Sequence, residues 1–173
     1  MHKAMETIGM PVLAVDDGEY RGSVKDVLFD SDWRVSGLLL ACKHWFAAPR
    51  FVRFGERLRI GEDAVAIDSR AAIRHEPLDP AWFGFMTAAG KFKDAAIVTT
   101  EGNRIGTVVD VYFEADPVKP IIGFELSDGF ISDIWEGRRW LPLPNHVTKG
   151  EDAIIVPVSC EHDLKEIITT EKE

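Results

Sequence analysis

The feature that most constrains the fold of this chain is an internal repeat. Residues 13–29 align with residues 97–113, 84 positions later, and 6 of the 17 aligned positions are identical. A chain that repeats in this way is predicted to contain two copies of one small module. Three further blocks match in the same order: 37–40 with 123–126, 51–54 with 140–143, and 61–64 with 150–153.

Each copy has the pattern of short strands separated by turns. An Asp-Gly pair in the first copy and a Glu-Gly pair in the second are typical of turns between strands. In the first copy Val24, Val27 and Phe29 are apolar, and the same odd spacing recurs in the second. Because a strand directs alternate residues to one face, this spacing predicts a β-bulge near Asp26 and Asp110. The sequence therefore predicts an all-β fold of two tandem small β-barrels.

The domain boundaries follow from the repeat. Module 1 is predicted at residues 6–69, a connecting segment at 70–89, module 2 at 90–159 and a charged tail at 160–173. Prolines interrupt the connecting segment, and the tail is predicted to form a short helix before it ends. Four residues of the connecting segment are too apolar for a free linker and are expected to pack between the barrels: Trp82, Phe83, Phe85 and Met86.

Charge and composition limit the function and the location. The formal net charge is -9, which argues against binding of nucleic acid over the whole surface but allows a local basic patch. No apolar stretch reaches the roughly 18 residues of a membrane-spanning helix, and no apolar signal core follows the N-terminus. The chain is therefore expected to be cytoplasmic, without insertion into a membrane. Its two cysteines are expected to be free thiols in a reducing compartment.

One motif carries a resemblance to a known family. Gly-x-Val-x-Asp-Val-x-Phe, followed by Asp or Glu, occurs at residues 22–30 and again at 106–114. With the aromatic-led strand and the Gly-Glu-Asp-Ala turn that follow, it resembles the PRC-barrel family. That family includes the cytoplasmic part of the photosynthetic reaction-centre H subunit and the C-terminal domain of a ribosome-maturation factor. Its members take part in ribosome assembly, cell division and sporulation, so the resemblance implies docking to macromolecules in a bacterial protein rather than catalysis.

The residues that recur in this motif are interpreted as structural. Gly22 and Gly106 lack the lysine and the strand-to-helix context of a phosphate loop. Asp26 and Asp110 stand at the break in the strand pattern, where each carboxylate could accept hydrogen bonds from local backbone N–H groups. The alternative is a ligand carboxylate or a general acid or base, but one carboxylate per module without a nearby base is not a catalytic set. We therefore predict no catalytic residue and no enzyme.

Two Cys-x-His pairs are the candidates for a metal site. Cys42 and His44 are two residues apart, as are Cys160 and His162, and residues at this spacing share one face of a strand. Together they could supply four zinc ligands, but they occupy non-equivalent places in the two repeats, and their spacing is not the usual one for zinc cysteines. The sequence therefore predicts neither a metal nor a cofactor.

A group of arginines is the candidate for RNA binding. Arginines beside exposed aromatic rings can bind RNA phosphates and bases, whereas the alternative is a solvated strand face in an acidic protein. The candidates are Arg50, Arg53, Arg57, Arg59, Arg138 and Arg139.

Aromatic residues in the loops between matched blocks are the candidates for binding a partner. Trp45 and Phe46 fall in the loop of the first copy, and Ile134 and Trp135 in that of the second. Large apolar side chains in loops either anchor a partner or pack against the sister module. The predicted function is a non-catalytic interaction or scaffold protein with a protein partner, and a second copy of the chain is one candidate. The alternative is an RNA- or ribosome-associated assembly factor.

Overall fold

The computed structural model describes residues 1–44, 46–55, 57–129 and 137–166, with only the backbone of Glu166. The chain divides into two compact units, and their boundaries in the sequence are not contiguous. Unit 1 comprises Met1–Lys91 and Phe113–Ile121, and unit 2 comprises Phe92–Tyr112 and Ile122–Glu173. None of the helices in the described part of the chain is long and apolar enough to cross a membrane.

Unit 1 is built from short strands around a long one. Helix α1 covers Ala4–Thr7, and a 3-10 helix covers Arg70–Ala72. The strands are β1 His2–Lys3, β2 Pro11–Ala14, β3 Glu19–Phe29, β4 Val35–Leu40, β5 Arg50–Arg53, β6 Leu58–Ile60, β7 Val65–Ile67, β8 Arg74–His75 and β9 Phe83–Gly84. Strands β2 to β8 form one sheet path in the order β6-β7-β2-β3-β4-β5-β8, and β9 pairs with β3.

Unit 2 repeats this arrangement. Its sheet path runs β14-β15-β10-β11-β12-β13-β16, which is the strand order of unit 1 when the repeats are aligned. The shared order confirms two copies of one all-β module. Helix α2 covers Cys160–Asp163 at the start of the predicted tail. The strands are β10 Ala96–Thr99, β11 Arg104–Phe113, β12 Gly123–Ser127, β13 Arg139–Pro142, β14 Thr148–Lys149, β15 Ala153–Val156 and β16 Lys165–Glu166.

The predicted bulges lie where the apolar spacing breaks. The register of β3 against β4 shifts between Val24 and Asp26, and that of β11 against β12 shifts between Val108 and Asp110. Both aspartates are buried beside the shift, with Asp26 fully so. A bulge leaves backbone groups outside the ladder and turns the next side chains, so it places a buried carboxylate at this point in each unit.

The segment that precedes the second module packs on unit 1. Leu78, Trp82 and Ala88 contact a buried cluster of Leu28, Leu39 and Phe51. Phe83 and Phe85 of the same segment are buried as well. Phe83 belongs to strand β9, which pairs with β3. The contacts given for Trp82 lie within unit 1, and packing of this segment between the barrels stays a prediction. The carboxylate of Asp26 explains how the segment is held.

Candidate functional site

Asp26 lies in a cradle of backbone N–H groups. Its Oδ1 accepts from the N–H of Val27 at 2.9 Å, of Phe85 at 3.1 Å and of Met86 at 2.9 Å. Its Oδ2 accepts from the N–H of Thr87 at 2.7 Å and of Ala88 at 2.8 Å, and the Thr87 hydroxyl lies 3.3 Å away. Backbone donors that point at one carboxylate form an anion-binding concavity, and here a side chain of the protein fills it.

The local part of this cradle was expected from the sequence, but the larger part was not. Of the bonds to Asp26, that from Val27 is local, whereas those from residues 85–88 span 59 to 62 positions in the sequence. Gly84 makes the close approach of this segment feasible. A side chain there would collide with Oδ2 of Asp26 and with Cβ of Ala88. Both carboxylate oxygens of Asp26 are therefore buried and surrounded by backbone donors of unit 1.

The other recurring motif residues have structural surroundings too. Asp110 is 5% exposed and accepts from the N–H of Val111 at 2.8 Å. Gly22 has φ +112, a conformation that side chains other than glycine rarely adopt. Gly106 faces Leu126, whose Cβ would lie 3.1 Å from a Cβ at this glycine.

A polar cluster in unit 2 escaped the sequence analysis. Glu125 is 5% exposed, and its Oε2 accepts from the hydroxyl of Tyr112 at 2.9 Å. Its Oε1 lies 3.2 Å from Nη1 of Arg138, and the ring of Trp140 meets Tyr112 edge-on at 4.7 Å. The carboxylate is therefore paired with a cation and a hydroxyl, as burial of a charge requires.

The corresponding place in unit 1 is apolar. Asp26 pairs with Leu39 across its bulge, and Asp110 pairs with Glu125 across the other. In the aligned blocks, the apolar cluster Leu28–Leu39–Phe51 of unit 1 corresponds to Tyr112–Glu125–Trp140 of unit 2. The signal for this cluster in the sequence was Glu125, a charged residue at a position where the first copy has the apolar Leu39.

The structure separates the candidate arginines. Arg53, on β5, lies with its guanidinium 4.8 Å from the ring centre of Trp82, and Arg57 lies 3.7 Å from Asp68. Arg53 and Arg57 line a cavity of about 390 Å³ with Arg74, while Arg50 lines a second cavity and Arg59 lines neither. In unit 2, Arg138 pairs with Glu125 and Arg139 with Asp128.

The second cavity lies at one end of unit 1, and we call it the basic cavity. Its volume is about 640 Å³, and none of the described residues that line it carries a carboxylate side chain. Strands β3, β4, β5 and β8 are neighbours in the sheet, so the start of β3, the end of β4 and the start of β5 meet there. The lining residues are Tyr20, Arg21, Gly22, Ser23, Ala41, Cys42, Lys43, Arg50, Arg70, Ile73 and His75.

The cations of this cavity differ in how they are paired. Arg21 forms ion pairs with Asp17 and, at 3.2 Å, with Glu19. A backbone hydrogen bond from Glu19 holds the pKa of Asp17 below its ordinary value, and the bond from Arg21 acts in the same direction. Arg50 donates to the carbonyl oxygens of Arg21 at 2.9 Å and Ala41 at 3.4 Å, so its charge meets no carboxylate in the described part of the chain.

The aromatic candidates fall mostly outside the described residues. Trp45, Ile134 and Trp135 are among the positions that are not described. Phe46 is described and is 77% exposed, with the ring of His44 stacked at 6.1 Å. Tyr20, on the wall of the basic cavity, is 67% exposed. Two exposed aromatic side chains therefore lie on unit 1, one in strand β3 and one in the loop after β4.

The two cysteines lie in different surroundings. Cys42 is half-buried on the wall of the basic cavity, whereas Cys160 is buried in unit 2, and burial raises the pKa of its thiol. The described residues contain no group of three or more His, Cys, Asp or Glu side chains that could hold a metal ion.

Comparison with known proteins places the chain in a family. The sequence model of the PRC-barrel domain matches residues 1–74 and again 86–162. The chain is also similar to a protein of Bacillus subtilis (strain 168) named "Uncharacterized protein YrrD". The two are 31% identical over 137 residues, which cover 78% of this chain and 74% of the relative. Repeated motif, shared strand order and both matches lead to one conclusion: the chain belongs to the PRC-barrel family and carries two tandem copies of its domain.

Proposed function

We propose that this protein is a non-catalytic interaction or scaffold protein that binds a protein partner at the exposed end of unit 1. The observation that carries the proposal is the exposure of two aromatic side chains, Tyr20 at 67% and Phe46 at 77%. Lys43 lies in the same loop as Phe46, and Arg50 begins strand β5 at the end of that loop. Tyrosine and arginine are enriched among residues that dominate binding energy at protein interfaces.

The carboxylates of the module support a binding role rather than catalysis. Asp26 is fully buried, and its carboxylate oxygens accept hydrogen bonds from five backbone N–H groups. A general acid or base must come within hydrogen-bonding reach of its substrate. Asp26 is enclosed by its own chain, and Glu125 is 5% exposed and engaged with Tyr112 and Arg138. The predicted anchors Trp45, Ile134 and Trp135 stay predictions.

A photo-cross-linking amino acid at position 46 tests the proposal in the native host. We expect one protein to be cross-linked reproducibly from position 46. The matched control is position 118, because Val118 is 74% exposed and also belongs to unit 1. Replacement of Tyr20 by alanine should weaken the cross-link from position 46. The same products from both positions, or none from position 46, would contradict the proposal.

The second candidate function is association with RNA or the ribosome. It is favoured by the two cavities of unit 1 that are lined by arginine, of which the smaller holds Arg53, Arg57 and Arg74. Contacts with phosphate lose affinity as salt rises, in proportion to the number of phosphates neutralised. If RNA binds here, the Arg53→Glu, Arg74→Glu double variant should abolish binding of a single-stranded RNA. Binding that persists in this variant would exclude this surface.

A further inference from the structure

The basic cavity brings together several cationic side chains of unit 1. Its cations come from separate elements: Arg21 from β3, Lys43 from the loop after β4, Arg50 from β5 and Arg70 from the 3-10 helix. His75 of β8 adds an imidazole. The chain as a whole has a formal net charge of -9, so this cluster of cations is a local departure from its overall charge.

The pairing of these cations leaves several of them available to a ligand. Asp17 and Glu19 offset Arg21. Arg50 is oriented by the carbonyl oxygens of Arg21 and Ala41, which fix its guanidinium but carry no full charge. Among the described residues no ion pair involves Lys43 or Arg70, and no Asp or Glu lines the cavity. The cavity is therefore complementary to an anion.

Size and shape limit what kind of anion fits. A cavity of about 640 Å³ is within the ordinary range for small-molecule sites, about 300–1,000 Å³. The exposed ring of Tyr20 offers a flat surface, and the buried side chain of Ile73 adds an apolar contact. The Ser23 side chain contributes a hydroxyl to the wall. Such a site has room for an anionic group together with an attached ring.

We propose that the basic cavity binds the phosphate group of a small phosphorylated molecule, with Lys43, Arg50 and Arg70 as its cationic ligands and Tyr20 against its organic part. A phosphate monoester carries a charge of about −1.5 to −2 and three acceptor oxygens, which suits several convergent donors better than one carboxylate does. The net charge of -9 opposes a long polyanion such as RNA, because repulsion from the acidic surface accumulates along its length. The ligand would share Tyr20, Lys43 and Arg50 with the surface proposed for the protein partner, but the inference does not depend on that partner.

Calorimetry on the full chain tests the proposal with inorganic phosphate, adenosine 5′-monophosphate and adenosine as probes. We expect saturable binding of phosphate and of the monophosphate, tighter for the latter, and none of adenosine. The Lys43→Gln, Arg70→Gln double variant should weaken binding about tenfold or more. Its melting temperature should stay unchanged, because no hydrogen bond or ion pair of these two side chains is present among the described residues. Equal binding of adenosine, or no saturable phosphate binding at millimolar concentration, would overturn the proposal.

Arg59→Gln provides the matched control for charge. Arg59 is exposed in unit 1 and lines neither cavity, so its loss should leave affinity within about twofold. A loss in Arg59→Gln equal to that in the cavity variant would show diffuse attraction instead of a site. A single-stranded RNA that binds more tightly than the monophosphate, and depends equally on Arg59, would assign the basic surface to RNA and overturn the proposal.

Cys42 supplies a second readout that does not depend on heat of binding. Cys42 lines the basic cavity and is half-buried. Bound adenosine 5′-monophosphate should slow alkylation of Cys42 by iodoacetamide in the natural sequence but not in the Lys43→Gln, Arg70→Gln variant. Alkylation of Cys42 at the same rate with and without a saturating concentration of the monophosphate would place the ligand elsewhere and overturn the assignment.

Discussion

At the scale of single residues, the aspartate shared by the two repeats accepts a backbone hydrogen bond beside each bulge. Asp26 accepts from Val27 nearby and from residues 85–88, so it joins the bulge of β3 to a segment far along the chain. Bonds from N–H groups to a charged acceptor are among the stronger hydrogen bonds in proteins. This one side chain therefore fixes how the connecting segment lies on unit 1.

Asp26→Asn is expected to lower the free energy of unfolding by about 1–3 kcal/mol, because an amide nitrogen cannot accept the N–H groups that now face one carboxylate oxygen. Asp63→Asn is the matched control, since Asp63 is exposed in the turn before β7 and its side chain forms no hydrogen bond or ion pair with another described residue. Urea unfolding of both variants measures the difference. Equal stability of the two, with loss of ligand binding only in Asp26→Asn, would indicate a functional carboxylate instead.

Tyr112→Phe probes the polar cluster of unit 2 by removing the hydroxyl that donates to Glu125 at 2.9 Å. A hydrogen bond to a charged group contributes about 1.5–3 kcal/mol, so stability should fall by an amount of that order. Tyr20→Phe removes the same atom from a ring that is 67% exposed and should change little. Thermal melts that show the same small change in both variants would mean that the Glu125 bond contributes nothing.

At the scale of elements, the strands could be predicted from sequence better than their contacts could. The aligned blocks fixed which strands correspond, and the odd spacing of Val24, Val27 and Phe29 located the bulge. Neither pattern shows that the N–H groups of residues 85–88 meet Asp26, because that depends on a segment 59 to 62 positions away folding back. For the same reason Arg21, Lys43 and Arg70 could not be grouped with Arg50 before the sheet order was known.

Strand β9 contains Gly84, which lets the segment 85–88 come close to Asp26. A Cβ at Gly84 would collide with Asp26 Oδ2 and with Cβ of Ala88. Gly84→Ala should therefore push the segment off the cradle and cost about 1–3 kcal/mol, as overpacking does. Gly55→Ala is the control, because a Cβ there meets nothing within 4 Å, and its effect should stay within about 0.5 kcal/mol. Hydrogen exchange should show faster loss of protection at residues 85–88 in Gly84→Ala alone, and unchanged protection would contradict this account.

At the scale of the whole molecule, the sequence repeat and the compact units do not have the same boundaries. The repeat places residues 97–113 in the second copy, whereas the segment Phe113–Ile121 belongs to unit 1. Phe113 is fully buried, with its ring 6.4 Å from that of Phe29 and 6.3 Å from that of Phe54. Farther along, the N–H of Ile121 donates to the carbonyl of Trp33 at 2.8 Å. Alignment of the repeats cannot reveal that Phe113–Ile121 belongs to unit 1, because sequence similarity does not show which residues are neighbours in the fold.

Phe113→Ala is therefore expected to destabilise unit 1 although position 113 lies in the second repeat. Truncation of a fully buried phenylalanine costs about 3–5 kcal/mol through lost burial and a residual cavity. Phe124→Ala is the matched control, since Phe124 is equally buried and packs on Phe92 within unit 2. Hydrogen exchange followed by mass spectrometry in mild urea localises each effect. Phe113→Ala should first lose protection in β3 and around Phe54, and Phe124→Ala in β12. If Phe113→Ala instead lost protection in β12 while β3 stayed protected, Phe113 would be stabilising the unit that its sequence repeat suggests, and the division of the chain at Tyr112 would be wrong.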